Sequence, residues 1–188
     1  TEEYINSDWV YWDLPYWYAA GSSGLAMEEN CFRTTIKPGQ KAGDPATITI
    51  NPETEYVRLI NEVETVEAGG ESNADIVWRN EENLFRYDRT IAIDKEAINE
   101  RGSIWDGAKY AVFLFNEALE RDGIGVTGQP YNVRELEDLS RVDEPETKML
   151  LATTVSPKLS ETCKVINEVS HNFFADQVFR TLGAEEEG

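Results

Sequence analysis

Ser170, His171 and Asn172 stand together near the C-terminal end, and His171 is the only histidine of the chain. A Ser-x-Asn triplet alone is a weak signal that arises often by chance, and its meaning depends on what surrounds it. His171 could instead belong to a Ser-His-Asp triad, but no Gly-x-Ser-x-Gly elbow exists to expose a nucleophile, and a lone histidine is more often a packed side chain. One histidine cannot make a multi-histidine metal site, and neither Cys31 nor Cys163 has a ligand-spaced partner, so no metal and no cofactor is expected. Gly21-Ser22-Ser23-Gly24 lacks the lysine and helix context of a phosphate loop and reads as a flexible turn. Carboxylates are so numerous that any two could be named as an acid and base pair, which empties that signal. Trp9, Tyr11, Trp12, Tyr16, Trp17 and Tyr18 crowd one stretch. Exposed, such rings stack on sugar faces; buried, they plug the edge of a β-rich core.

The elements that must position these residues change character near residue 103. Before it, turn signals separate short runs rich in β-branched and aromatic residues. Residues 30–36 and 46–50 alternate as half-buried strands do, with the Pro- and Gly-rich loop 37–45 between them. Residues 56–66, 74–78 and 84–93 read as further strands, and 68–73 as a turn. After residue 103 the period lengthens. Asp106 can cap a helix to about Arg121 that carries Tyr110, Phe113, Leu114 and Ala118 on one face, with Gly123 ending it. A helix over 161–169 has Ser160 as its candidate cap. A last helix over 172–182 aligns Phe174, Val178 and Leu182, with Gly183 as its stop. The Ser-x-Asn triplet therefore falls between two helices.

Composition bounds the function classes. The 188 residues suit one domain or two small ones, and 40% hydrophobic content with 11% aromatics is enough to bury a core. A formal charge of −19 argues against nucleic acid and against an anionic membrane surface, both of which would repel it. No run is long and apolar enough for a membrane span, and no basic-then-apolar leader opens the chain, although an export signal could already have been removed. Two cysteines fit neither a disulfide framework nor a zinc cluster.

The triplet gains meaning from its surroundings. Ser156-Pro157-Lys158-Leu159-Ser160 precedes it, and Phe173-Phe174-Ala175-Asp176 and Phe179-Arg180-Thr181-Leu182-Gly183 follow it. That combination resembles the second motif of the D-alanyl-D-alanine carboxypeptidases of the peptidase S13 family, the penicillin-binding protein 4 (DacB) type. Upstream, residues 107–111 through 123–128 are similar to the helix and following segment that lead back into that family's transpeptidase domain. Asn30-Cys31-Phe32, Pro38-Gly39 and Gly43-Asp44-Pro45-Ala46 resemble the large insert between its first and second motifs. Trp12-Asp13-Leu14 and Tyr18-Ala19-Ala20-Gly21 have counterparts there as well.

The resemblance implies an α+β fold: a β-rich insert domain, residues 1–102, followed by a helical slice of a transpeptidase-like domain, residues 103–188. It implies a cell-envelope serine carboxypeptidase or endopeptidase, exported or periplasmic, that acts on peptidoglycan stem peptides and is acylated by β-lactams. Ser170 would relay a proton between the catalytic lysine and the leaving amine. Asn172 would hold that lysine and the substrate amide, and His171, where the family often has Asp, would face away or into packing. None of the nine serines has Lys three residues later, and no Lys-Thr-Gly follows the triplet. The chain is thus expected to begin after the first motif, to stop before the third, and to be inactive alone. A non-catalytic glycan-binding module built on Trp9 to Tyr18, or a degenerate structural member, are the alternatives. Cys31 and Cys163, placed in the two different parts, are expected to be unbonded, and Ser170 and Asn172 to be exposed at a helix–helix junction.

Overall fold

The computed structural model describes residues 8–135, 149–150 and 152–187. Strand β1 (Cys31–Lys37) buries Phe32, Thr34 and Ile36 and exposes Arg33 and Lys37, the period of two read from the sequence. It lies at the centre of an antiparallel sheet between β2 (Thr47–Asn51) and β8 (Ile98–Ser103). In chain order between these last two come β3 (Arg58–Asn61), β4 (Glu64–Val66), β5 (Asp75–Arg79), β6 (Leu84–Asp88) and β7 (Thr90–Ala92). A second sheet has the order β3-β6-β5, and a third pairs β4 with β7.

The runs 56–66 and 84–93, expected as single strands, each divide in two. The division is shared. Arg58 lies opposite Leu84, Asn61 opposite Tyr87 and Glu64 opposite Thr90, so the parallel register continues through the break. On one strand the Asn61 carboxamide interrupts the ladder by donating to the Ala46 carbonyl and accepting from the Val63 N–H. On the other, Arg89 adopts a left-handed conformation at φ 79°. β8 escaped the sequence reading because Ile98-Asn99-Glu100-Arg101-Gly102-Ser103 shows no apolar alternation. Its backbone pairing with β1 makes it a strand, and Gly102 leaves the space that the Phe32 ring fills, since a Cβ there would lie 2.3 Å from that ring.

Helix α1 (Gly107–Arg121) starts where expected, with the Asp106 carboxylate accepting from the Lys109 N–H. It buries Tyr110, Ala111 and Leu114. Tyr110 and Leu114 share one core with Phe32, Ile36, Phe85 and Tyr87 of the sheets. The change of character at 102/103 therefore falls within β8, and α1 is packed with the β-rich body. Helices α2 (Leu159–Val169) and α3 (Asn172–Glu187) follow. Two boundaries differ from expectation. The residue before α2 is Lys158, without a side-chain cap, and Ser160 lies inside the first turn. α3 runs through Gly183, because Ala184, Glu185 and Glu186 continue it and an interior glycine costs a helix only about 1 kcal/mol.

Candidate functional site

The reversal between α2 and α3 carries the Ser170–Asn172 triplet. Ser170 closes α2 in a left-handed conformation, φ 55° and ψ 52°, with its N–H returning to the Ile166 carbonyl. Such a conformation costs a non-glycine residue about 1–2 kcal/mol, and here only Ser170 and His171 separate α2 from α3. The Ser170 side chain is exposed, as expected. Asn172 is half-buried instead, because its Nδ2 donates to the Tyr18 carbonyl at 2.9 Å. A carbonyl can only accept, so this contact fixes the amide's orientation and makes Oδ1 the end able to accept from an incoming ammonium group.

His171 is buried, with its ring stacked on Phe174 at 4.2 Å between centroids and edge-on to Trp17 at 5.6 Å. It packs, in agreement with the role assigned to it. The Phe174 N–H points at Nδ1 from 3.5 Å, which leaves Nε2 to donate to Glu29 Oε2 at 3.1 Å. The same Glu29 oxygen accepts from Arg101 of β8, whose guanidinium lies 5.3 Å from the centre of the Trp17 ring. Burial alone would raise the Glu29 carboxyl, but the hydrogen bond and charge of Arg101, joined by His171, hold it below the usual 4.5.

Glu29 is presented by an unusual piece of backbone. Glu28, Glu29 and Asn30 are successively left-handed, with φ of 52°, 59° and 52°. Asn30 is fully buried and locks the turn, its Nδ2 donating to the Gly21 carbonyl at 2.9 Å and to Ser23 Oγ at 3.0 Å. Further ties bind α3 to the segment before β1: Ser22 donates to Asp176, and Gln177 Nε2 donates to the Ser23 carbonyl at 2.8 Å. Phe173 packs beside Ala20 and Cys31. Cys31 and Cys163 are both free thiols, as expected, and burial pushes the Cys31 thiol up to about 12.

Sequence reasoning missed Glu29 and Arg101. Neither stands near the triplet in sequence, and among 36 acidic residues nothing marks Glu29 out. The aromatic cluster divides. Tyr16, Trp17 and Tyr18 are half-buried against the body, the Tyr16 hydroxyl donating to Asp75 at 2.9 Å, while Tyr11 and Trp12 are exposed. Among the described residues no group of three or more His, Cys, Asp or Glu is arranged to hold a metal ion, and no helix is long and apolar enough to cross a membrane.

The fold is similar to that of penicillin binding protein 4 (dacB) from Haemophilus influenzae, with a TM-score of 0.69 over 96% of this chain and 38% of that one at 17% identity. A structure of the same protein complexed with a β-lactam matches at a TM-score of 0.59 over 86% of this chain and 35% of that one, also at 17% identity. Both likenesses are of fold, each to a part of that protein's chain. The family model of D-Ala-D-Ala carboxypeptidase 3 (S13) matches residues 1–188, and the chain belongs to that family. A D-alanyl-D-alanine carboxypeptidase from Actinomadura sp. (strain R39) is 24% identical over 99% of this chain. The chain spans about a third, 34%, of the length of that curated relative.

Proposed function

We propose that this chain is the insert and second-motif portion of a cell-envelope serine D-Ala-D-Ala carboxypeptidase or endopeptidase. In this reading residues 1–102 form the β-rich insert and residues 103–188 the transpeptidase-like part, with α1 of the latter packed into the core of the β-rich body. The observation that carries it is the family match across the whole chain, together with the triplet's position on a helix–helix reversal that leaves the Ser170 hydroxyl exposed. The supporting chemistry is specific. Acyl transfer needs a nucleophile, a base for its proton, a path for that proton to the leaving amine, and donors for the oxyanion. Ser170 supplies the relay hydroxyl, and Asn172, oriented by Tyr18, supplies an acceptor for the catalytic lysine. The nucleophile, its lysine and the oxyanion donors come from sequence outside residues 1–188. The substrates are peptidoglycan stem peptides ending in D-Ala-D-Ala, and β-lactams acylate the same nucleophile; the protein works in the periplasm or cell envelope.

Incubation with a fluorescent penicillin tests this. The full-length protein is expected to label covalently and to release D-Ala from a D-Ala-D-Ala peptide. The 188-residue chain alone is expected to do neither, since loss of the nucleophile costs serine hydrolases on the order of 10⁶ in rate. Ser170→Ala in the full-length protein is expected to slow acylation without unfolding it, because a surface hydroxyl-to-hydrogen change is mild. Specific labelling of the 188-residue chain, blocked by excess unlabelled penicillin, would overturn the reading by revealing a second nucleophile.

A further inference from the structure

The middle residue of the triplet has no part in the acyl transfer just described, yet it is its best-anchored member. His171 is buried, and its Nε2 reaches a carboxylate 142 positions away in the sequence. That carboxylate, Glu29, is delivered by three successive left-handed residues, a conformation that L side chains rarely adopt. Strain of this kind persists only where the surroundings fix it, and here Asn30 fixes it with two side-chain hydrogen bonds. Arg101 holds Glu29 through the same carboxylate oxygen and itself lies over Trp17, the ring that His171 meets edge-on. The result is a closed set of contacts: β8 to Glu29, Glu29 to His171, His171 to Trp17, Trp17 back to β8. Ser170 and Asn172 flank the one member of this set that lies on their own turn.

We propose that Glu29 is a positioning residue: by holding His171 it sets the geometry of the turn that presents the Ser170 hydroxyl, beside the Asn172 amide that Tyr18 orients, so that the β-rich part of the chain governs acylation without touching the substrate. The inference rests on reading the triplet as the second motif. Its physical basis is that Ser170 is exposed, with its backbone already in a left-handed conformation, and a turn of that kind keeps one geometry only if its neighbours are pinned. Asn172 is pinned by Tyr18, and His171 by Glu29. A displacement of about 1 Å at a reacting group can cost as much as 100-fold in rate.

The test uses the full-length protein and the second-order rate of acylation by a fluorescent penicillin, with folding checked by thermal unfolding. Glu29→Ala is expected to slow acylation about tenfold, and His171→Ala by a similar factor. Glu29→Asp keeps the negative charge but, one methylene shorter, withdraws the oxygen that serves both Arg101 and Nε2, and is expected to lose severalfold in rate while remaining folded. The decisive reading is the double variant. If Glu29 acts through His171, Glu29→Ala adds less than about twofold in the His171→Ala background, because the contact it served is already gone. Wild-type acylation by folded Glu29→Asp and Glu29→Ala would overturn the proposal, as would losses that multiply in the double variant. Ser170→Ala and Asn172→Ala separate the two claims. If those slow acylation while the Glu29 variants do not, the second-motif reading stands and the positioning role falls. If none of the four slows it, the second-motif reading falls.

Discussion

Glu29 carries a charge effect whose direction can be worked out. Its carboxyl is held below the ordinary 4.5, chiefly because the hydrogen bond and charge of Arg101 outweigh the opposing effect of burial. A carboxyl lowered on folding contributes stability that is complete above its unfolded value and is lost as pH falls through its folded value. Wild type should therefore exceed Glu29→Gln in unfolding free energy by a constant margin above about pH 4.5, and the margin should shrink as pH drops below that. Urea unfolding of both proteins from pH 7 to pH 3 measures it, and a margin unchanged at pH 3 would show that the Glu29 charge is not bound as described. At this same scale the sequence was partly legible. Ser170 and Asn172 could be named because their neighbours, Phe173 to Asp176 and Phe179 to Gly183, resemble a family's motif. Glu29 and Arg101 could not, because what selects them is a fold that closes residues 29, 101 and 171 into contact. No local pattern encodes that.

The elements were legible where side-chain periodicity alone decides them. β1 buries the face its sequence announces, α1 buries Tyr110 and Leu114 of its expected face with Phe113 and Ala118 half-buried, and Asp106 caps α1 as its position suggested. β8 could not be read, since its pairing with β1 rests on backbone hydrogen bonds and on the absence of a side chain at Gly102. Gly183 shows the opposite error, a glycine taken as a stop where good helix formers carry α3 onward. The two readings of Gly183 predict opposite signs. A Cβ there meets nothing within 4 Å, so Gly183→Ala should stabilise the protein by about 0.5–1 kcal/mol if the helix continues. A left-handed stop at that residue would make the same change destabilising. Gly107→Ala, also in a helix, is the contrast. Its Cβ would fall 2.1 Å from the Asn30 carboxamide, which is held by its own hydrogen bonds and cannot yield, so a loss of about 1–3 kcal/mol is expected. Chemical denaturation of both variants beside wild type reads the two signs together.

At the scale of the whole molecule, 36 acidic residues stand against 17 basic ones, and the excess of −19 has to be carried on a surface that also forms ion pairs. Most of those pairs are weak contributors. Arg33–Glu28 and Arg58–Glu82 sit at 2.9 and 3.0 Å with both partners substantially exposed, and such pairs typically contribute less than about 1 kcal/mol each. The dominant electrostatic effect is therefore repulsion among unpaired carboxylates, which opposes the compact state. Charges spaced across a surface interact only within the screening length, which falls from about 30 Å in 0.01 M salt to about 3 Å in 1 M. Raising sodium chloride across that range removes much of the repulsion and only a little ion-pair attraction. The less exposed Glu29–Arg101 pair is screened least of all. The melting temperature at pH 7 should therefore rise with salt by several degrees, given that about 1 kcal/mol corresponds to 2–4 °C in a domain of this size. Scanning calorimetry at a fixed scan rate, with sodium chloride as the only variable, reads this directly. A melting temperature that falls with salt would mean that the paired charges, and not the excess ones, set the balance, and that the acidic surface is built as a network.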